Sequence, residues 1–425
     1  VENTFELKID EEEILSDYVS EQNQKFFTLH EWQKKAIDYF FTHGCKAIFE
    51  VTTGAGKSIC AIDILKEVIR KNPNIYILIV VPKNVILEKM WFPELMKHGF
   101  SMKDIGVFYG GNKECCKITI TNMQNISQLP IDIFSMIILD EIHNYCTPRL
   151  LKILKHPFQY KLGLSATLER IDKNHWEMLS FFHYHVFKYT PKEALEDGVL
   201  NNFNFINVGI VMDSEDYDKY LDVSQQINVC LKQGGSFNRV MSGKAGIGLK
   251  NQFLKLIGER KQMVLNYYLK FDVVKKLVKN HLTNKILIFN EYNKSTTKCY
   301  WALLEDKIKA RILHSGVPKD ERENILNDYQ SNKFNILLAT KILDEGYNLP
   351  SIDVGIIMAG NSTAKQTIQR LGRVLRKKEK ISTLYQIFIK HTMEEDNANE
   401  RSKIFKELCT EFKEYKVVEG KIKEV

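Results

Sequence analysis

The residues from Thr52 to Ser58 read TTGAGKS and follow a short apolar stretch, Ala47–Val51. Glycines let a backbone turn its amides toward an anion, and a helix N-terminus adds partial positive charge. A lysine can then reach a terminal phosphate and a serine hydroxyl can meet Mg2+. Gly54, Gly56, Lys57 and Ser58 supply these parts, with Thr53 and Ala55 completing the loop. Phosphate is the natural guest. The plainer alternative is a glycine-rich strand-to-helix turn with a surface lysine, because Val51 stands where the strict GxxxxGK pattern has glycine. A second string, MIILDEIHN from Met136 to Asn144, is an apolar strand ending in two acids. Asp140 can hold Mg2+ through water and Glu141 can orient an attacking water, if the strand ends beside the loop. A third, QRLGRVLR, gathers Gln369, Arg370, Arg373 and Arg376 toward one side of a helix. A solvated basic helix is the alternative there, but Gly372 inside an exposed helix costs ~1 kcal/mol unless something approaches closely.

The elements that must position these residues alternate in type. Ala47–Val51, Ile75–Val81, Ile118–Thr121, Met136–Leu139 and Leu162–Ala166 are strand-like runs separated by helical stretches. After Lys57, Cys60, Ile62, Leu65, Val68 and Ile69 recur at helical spacing. The rhythm returns at Lys285–Asn290, Ala310–Leu313, Asn335–Ala339, Val354–Ala359 and Thr383–Ile389. Two α/β domains built on parallel sheets flanked by helices follow from this. Between them, residues 191–282 lose the alternation, and Lys232–Lys261 holds seven basic residues, one acid (Glu259) and six glycines, as a linker or inserted lobe would. Residues 1–25 form an acidic appendage and residues 399–425 a charged, helix-prone tail.

Composition narrows the partners. Net charge is +7, yet Val1–Lys25 alone carries −6, so the remainder stands at +13 and favours a polyanion. Eight cysteines without a CxxC pair fit a reducing intracellular setting, cytoplasmic, or nuclear in a eukaryote. No apolar run is long enough to cross a bilayer, so no membrane partner is expected. The chain starts at Val1 without an initiator methionine, which leaves room for a domain before it.

Taken in order, these strings resemble the motifs of superfamily 2 helicases of the DEAH/DExH type, particularly the XPB-like branch. The series is LHEWQ (Leu29–Gln33), TTGAGKS, VVPKNVILEKMW (Val80–Trp91), YGG (Tyr109–Gly111), TITNMQN (Thr119–Asn125), DEIH, LSAT (Leu164–Thr167), ILIFNEYN (Ile286–Asn293), LHSG (Leu313–Gly316), LLATKILDEGYNLPSID (Leu337–Asp353) and QRLGRVLR. The resemblance covers about residues 26–398, and the form xTGxGKS, without the earlier glycine, is the one this superfamily uses.

The resemblance implies two tandem RecA-like domains, 26–190 and 283–398, with ATP in the interdomain cleft, and a thumb-like character for 191–282. It implies that Gln33 reads the adenine edge and Lys57 holds the outer phosphates. Ser58 and Asp140 would bind Mg2+ and Glu141 would activate water. Gln369, Arg373 and Arg376 would reach in from the second domain, while Ser165 and Thr167 couple the nucleotide to the nucleic-acid track. Loops near Pro82, Lys83, Thr121, Asn122, His314 and Thr340 would meet nucleic-acid phosphates. Two positions depart from the pattern: His30 replaces an arginine beside the adenine glutamine, and Asn348 replaces the aspartate of EGxDxP. The function expected is an ATP-dependent DNA helicase or double-strand translocase moving 3′ to 5′. An RNA helicase is the alternative, as is a non-unwinding ATPase motor subunit of a restriction, repair or defence complex. No nuclease constellation is visible, so cutting would need a partner subunit. If Arg373 and Arg376 complete the site, Arg373→Ala or Arg376→Lys should retain ATP affinity within about tenfold and lose most nucleic-acid-stimulated turnover. Nucleotide fluorescence and phosphate release on one preparation measure both, and normal stimulated turnover in the two variants would sink the assignment.

Overall fold

The computed structural model describes residues 28–82, 90–110, 112–145, 153–166, 168, 175–340, 349–359 and 380–424. It divides into two units, one made mainly of the residues up to Leu200 and the other mainly of those from Asn201.

The first unit is built on one sheet. Its strands are β1 (Lys46–Val51), β2 (Ile77–Val81), β3 (Ile105–Tyr109), β4 (Asn112–Lys113), β5 (Ile118–Asn122), β6 (Met136–Asp140), β7 (Tyr160–Ser165) and β8 (Val186–Tyr189). Their order is β4-β3-β5-β2-β6-β7-β1-β8. Every pairing is parallel except that of β4 with β3. Strands covered on both faces need apolar residues at consecutive positions, and all five residues of β2 and of β6 are buried. The helix Lys57–Lys71 buries Cys60, Ala61, Ile62, Ile64, Leu65 and Val68, as its periodicity requires, while Ile69 lies only partly buried.

The second unit carries β9 (Phe203–Ile210), β10 (Ile286–Asn290), β11 (Arg311–Leu313), β12 (Ile336–Ala339), β13 (Val354–Ala359), β14 (Ser382–Ile389), β15 (Glu411–Val418) and β16 (Lys421–Glu424). The order is β11-β12-β10-β13-β14-β9-β15-β16, and only β15 with β16 is antiparallel. All five late strand-like runs of the sequence are present. Both sheets are of the parallel, helix-flanked type, and the fold is a tandem RecA-like one.

Two intervals differ from their sequence readings. Residues 191–282 do not form one separate piece, because Phe203–Ile210 is a central strand of the second sheet, paired along its whole length with β14. Asparagines at 204 and 207, the second of them buried, interrupt its apolar run and hid it. The rest of the interval includes the helices Ser214–Gly234, Phe237–Met241 and Ile247–Leu265, which share a small core of Val223, Ile227, Cys230, Val240, Phe253 and Leu256. Glycine is needed at 234, where a Cβ would sit 2.1 Å from Val240 Cγ2. The tail is helical only through Leu408 and then becomes β15 and β16. The mixed charged and apolar residues of EFKEYKVV suit an outer strand as well as a helix, and pairing with β9 decides the matter.

Charged groups are buried beneath the second sheet. Lys270 Nζ donates to Glu394 Oε1 at 2.6 Å and to the Met358 carbonyl at 3.2 Å, and Glu394 Oε2 accepts from the Ile389 amide. Nearby, Arg401 Nε donates to Gln386 Oε1, and Gln386 Nε2 donates to Asn207 and Ser402. Removing one partner of such a pair strands a charge in the interior. Lys270→Met should therefore destabilise the protein by about 3 kcal/mol in urea titration, and adding Glu394→Gln should recover part of the loss. A midpoint unchanged by Lys270→Met would contradict this account.

Candidate nucleotide site

Register brings the first two motifs together. In the order β6-β7-β1, Glu50 of β1 stands opposite Ser165 of β7, and Asp140 of β6 stands opposite Leu164. The loop after β1 and the acids after β6 thus leave the same edge of the sheet, two strand positions apart. This is the carboxyl edge, where ligands bind in open parallel sheets.

The loop itself is shaped by glycine. Gly54 has φ 88° and Gly56 φ 97°, values that side chains rarely adopt. A Cβ on Gly56 would also meet Gln33 Nε2 at 2.9 Å. Gly56 is the N-cap of the Lys57–Lys71 helix and provides no side-chain cap, so the amides of the first turn are left for an anion. Ala55 is buried, Ser58 lies half-buried in the first turn, and Thr53 Oγ1 is buried with no partner among the described residues. Lys57 folds back on the loop, its Nζ donating to the Val51 carbonyl at 3.0 Å.

Gln33 is almost wholly enclosed. Its Nε2 donates to the Gly56 carbonyl at 3.1 Å, and its Oε1 accepts from the His30 amide at 2.9 Å. The residue expected to read a base is therefore tied to the phosphate loop.

Asp140 is buried, and both its oxygens are engaged. Oδ2 accepts from Trp91 Nε1 at 2.9 Å and Oδ1 from the Glu141 amide at 3.0 Å. Burial, followed by the charge of Glu141, pushes its pKa up to about 6, against the opposing pull of the Trp91 N–H, Lys57 and the Glu141 amide. A divalent cation at this carboxylate would offset that cost. Glu141 has φ 52°, a left-handed conformation costing about 1–3 kcal/mol in a non-glycine residue. Its Oε2 lies 3.4 Å from His143 Nδ1, which is 3.0 Å from Ser165 Oγ. An uncapped helix start, an ammonium, a hydroxyl and a buried carboxylate together suit a magnesium nucleotide.

The other expected contacts divide. Thr121 is fully buried, with Oγ1 donating to the Phe108 carbonyl, and Asn122 Oδ1 accepts from the amides of Gln124 and Asn125. These two side chains build their loop, so phosphate binding there would fall to backbone or neighbours. In the second unit, Thr340 is buried, and His314 Nδ1 accepts from the Gly316 amide. Burial and then the charge of Arg322 lower the His314 pKa. Pro82 is partly exposed after β2. Lys83, Thr167, Asn348, Gln369, Arg373 and Arg376 lie outside the described residues.

Sequence reasoning passed over two residues. Glu50 Oε1 accepts from the Leu168 amide at 3.1 Å, and Oε2 lies 3.3 Å from Lys188 Nζ, tying the chain after LSAT to β1. A lone acid in the apolar run AIFEV was the available signal. Trp91 ends the string VVPKNVILEKMW, but nothing in its spacing points to an acid 49 residues away.

Comparison with known proteins supplies the rest. Residues 26–170 match the family of type III restriction enzyme res subunits, and residues 269–378 match the helicase conserved C-terminal domain. A DNA 3′-5′ translocase XPB2 from Sulfurisphaera tokodaii is 24% identical over 377 residues, covering 86% of this chain and 82% of the relative. These matches support a superfamily 2 helicase of the XPB-like branch. A DNA 3′-5′ helicase XPB from Mycobacterium tuberculosis is 20% identical over 369 residues, covering 84% of this chain, which spans only 59% of that protein's length. The solved helicase domain of Pyrococcus furiosus Hef, at 17% identity, matches 85% of this chain and 96% of its own with a TM-score of 0.63, a likeness of fold.

Lys57→Ala is expected to abolish ATP hydrolysis while leaving nucleic-acid affinity within several-fold of the parent. Phosphate release and duplex binding, with circular dichroism as the folding control, measure this. Equal loss of both activities in a folded variant would remove Lys57 from the nucleotide site.

Proposed function

We propose that the protein is a nucleic-acid-dependent ATPase that uses ATP hydrolysis to move along or unwind DNA. The observation that carries this reading is the convergence at one sheet edge of an uncapped helix start, Lys57, Ser58 and the buried Asp140–Glu141 pair. In this reading the loop amides and Lys57 bind the outer phosphates, and Gln33 faces the adenine. Ser58 and Asp140 hold Mg2+, whose charge neutralises the phosphoryl oxygens during transfer. Glu141 orients the attacking water, its backbone already fixed in the conformation that the Asp140 carboxylate accepts from. In the same reading Gln369, Arg373 and Arg376 would add charge stabilisation.

DNA is favoured over RNA because the relatives matched along most of the chain are named as DNA translocases and helicases, and those names give the 3′-to-5′ direction. Double-strand tracking without strand separation is an equal form of this activity, and a nuclease, repair or defence subunit would be a natural partner. Turnover measured with DNA and with RNA, beside a strand-displacement assay, separates these readings. Stronger stimulation by RNA would overturn the DNA assignment, and hydrolysis without displacement would favour a translocating or remodelling motor.

The helical lobe is the candidate grip on the backbone. Arg239 and Lys244 are exposed and Lys250 half-buried, near the exposed Phe237 and Ile247. Neutralising Arg239, Lys244 and Lys250 together should weaken duplex binding. The slope of log affinity against log salt should fall by about 0.9 for each phosphate that the variant no longer neutralises. An unchanged slope would leave the lobe without a role in duplex binding.

A further inference from the structure

Trp91 is among the largest fully buried side chains of the protein, and its indole N–H is spent on the carboxylate expected to hold the metal. Burying an indole does not by itself demand this arrangement. Trp32 is also buried, stacked on Tyr189 at 4.8 Å between ring centroids, and its Nε1 has no partner among the described residues. The fold tolerates one unpaired indole N–H, so the Trp91–Asp140 bond is better read through what it does to Asp140.

A carboxylate has about four lone-pair directions. The Trp91 indole takes one on Oδ2 and the Glu141 amide takes one on Oδ1. Two donors on opposite oxygens fix both the rotation and the tilt of the group. One direction on each oxygen is left for metal-bound water. Without Trp91, Oδ2 would be buried with no anchor, and the carboxylate could turn about its last bond. Donors that orient a metal-holding side chain are worth about 10–100-fold in metal affinity.

We propose that Trp91 is a positioning residue for the metal site, holding Asp140 in the orientation that receives Mg2+. This rests on the nucleotide-site reading above. Trp91 precedes the helix Phe92–Lys97 and comes from the segment that follows β2, so the metal-holding acid of β6 is oriented by a part of the chain that carries none of the nucleotide-binding residues.

The test removes only the N–H. Replacing Trp91 by 3-benzothienylalanine, in which sulfur stands for the indole nitrogen, keeps the shape of the ring and deletes the donor. Mn2+ serves as the probe, its binding in the presence of ADP followed by electron paramagnetic resonance, and ADP binding without metal is measured beside it. The expected result is about tenfold weaker Mn2+ binding, with metal-free ADP affinity within twofold of the parent. Trp91→Phe should weaken Mn2+ binding in the same direction. Mn2+ affinity within twofold of the parent in a folded benzothienyl variant overturns the role of Trp91. If the parent itself binds no Mn2+ with ADP, the nucleotide-site reading falls, and this proposal falls with it.

Discussion

Parallel register is the constraint from which the candidate site follows. Side chains cannot choose their neighbours across a sheet, since pairing Lys46 with Lys161 and Met136 with Tyr160 commits every later position on the three strands. The consequence at the carboxyl edge is that Val51, Ser165 and Asp140 finish close to one line, and the loop glycines begin where the acids end. A one-residue slip would exchange the residues packed on the two covered faces of β1 and β6 and shift Asp140 against the loop, so core packing and site assembly are one event. Trp91 and Glu50 then trim the result locally, one aiming a carboxylate and the other anchoring the chain that follows LSAT.

The central strands of both units were legible because residues covered on two faces leave a continuous apolar trace, as ILIVV and MIILD do. The phosphate loop was legible because glycine and lysine at fixed offsets have a direct chemical meaning. Phe203–Ile210 was not, because a strand carrying asparagines that serve a buried network looks like loop. Asn207 donates to Ser402 and accepts from Gln386, partners 195 and 179 residues away. The outer strand Glu411–Val418 failed for a different reason. Its residues are mostly charged, only Val417 is buried, and its neighbour alone tells it from a helix. The expected phosphate contacts at Thr121 and Asn122 show the limit of motif transfer: the string marks the loop, whereas the hydroxyl and amide are consumed in building it.

Gln33 joins features that sequence treats separately. One amide spans the backbone of His30, at the start of its own helix, and Gly56, one residue before Lys57. A shift of this amide would be felt at the peptide that opens the phosphate-loop helix. The conformation of Gly56 leaves no room for a side chain to intervene.

The two sheets close at very different points along the chain. The first has its last strand by Tyr189, and each of its pairings lies within the stretch from Lys46 to Tyr189. The second sets Phe203–Ile210 between Ser382–Ile389 and Glu411–Val418, so a strand made early waits for partners made last. During synthesis the first unit can therefore fold while the ribosome is still completing the second. The latter remains an open sheet with an unpaired strand until its C-terminal residues emerge, because closing so long a loop has to precede the contacts that reward it. Shortening the chain at its C-terminus would strip β15 and β16 from one side of the sheet and leave Phe203–Ile210 as its edge.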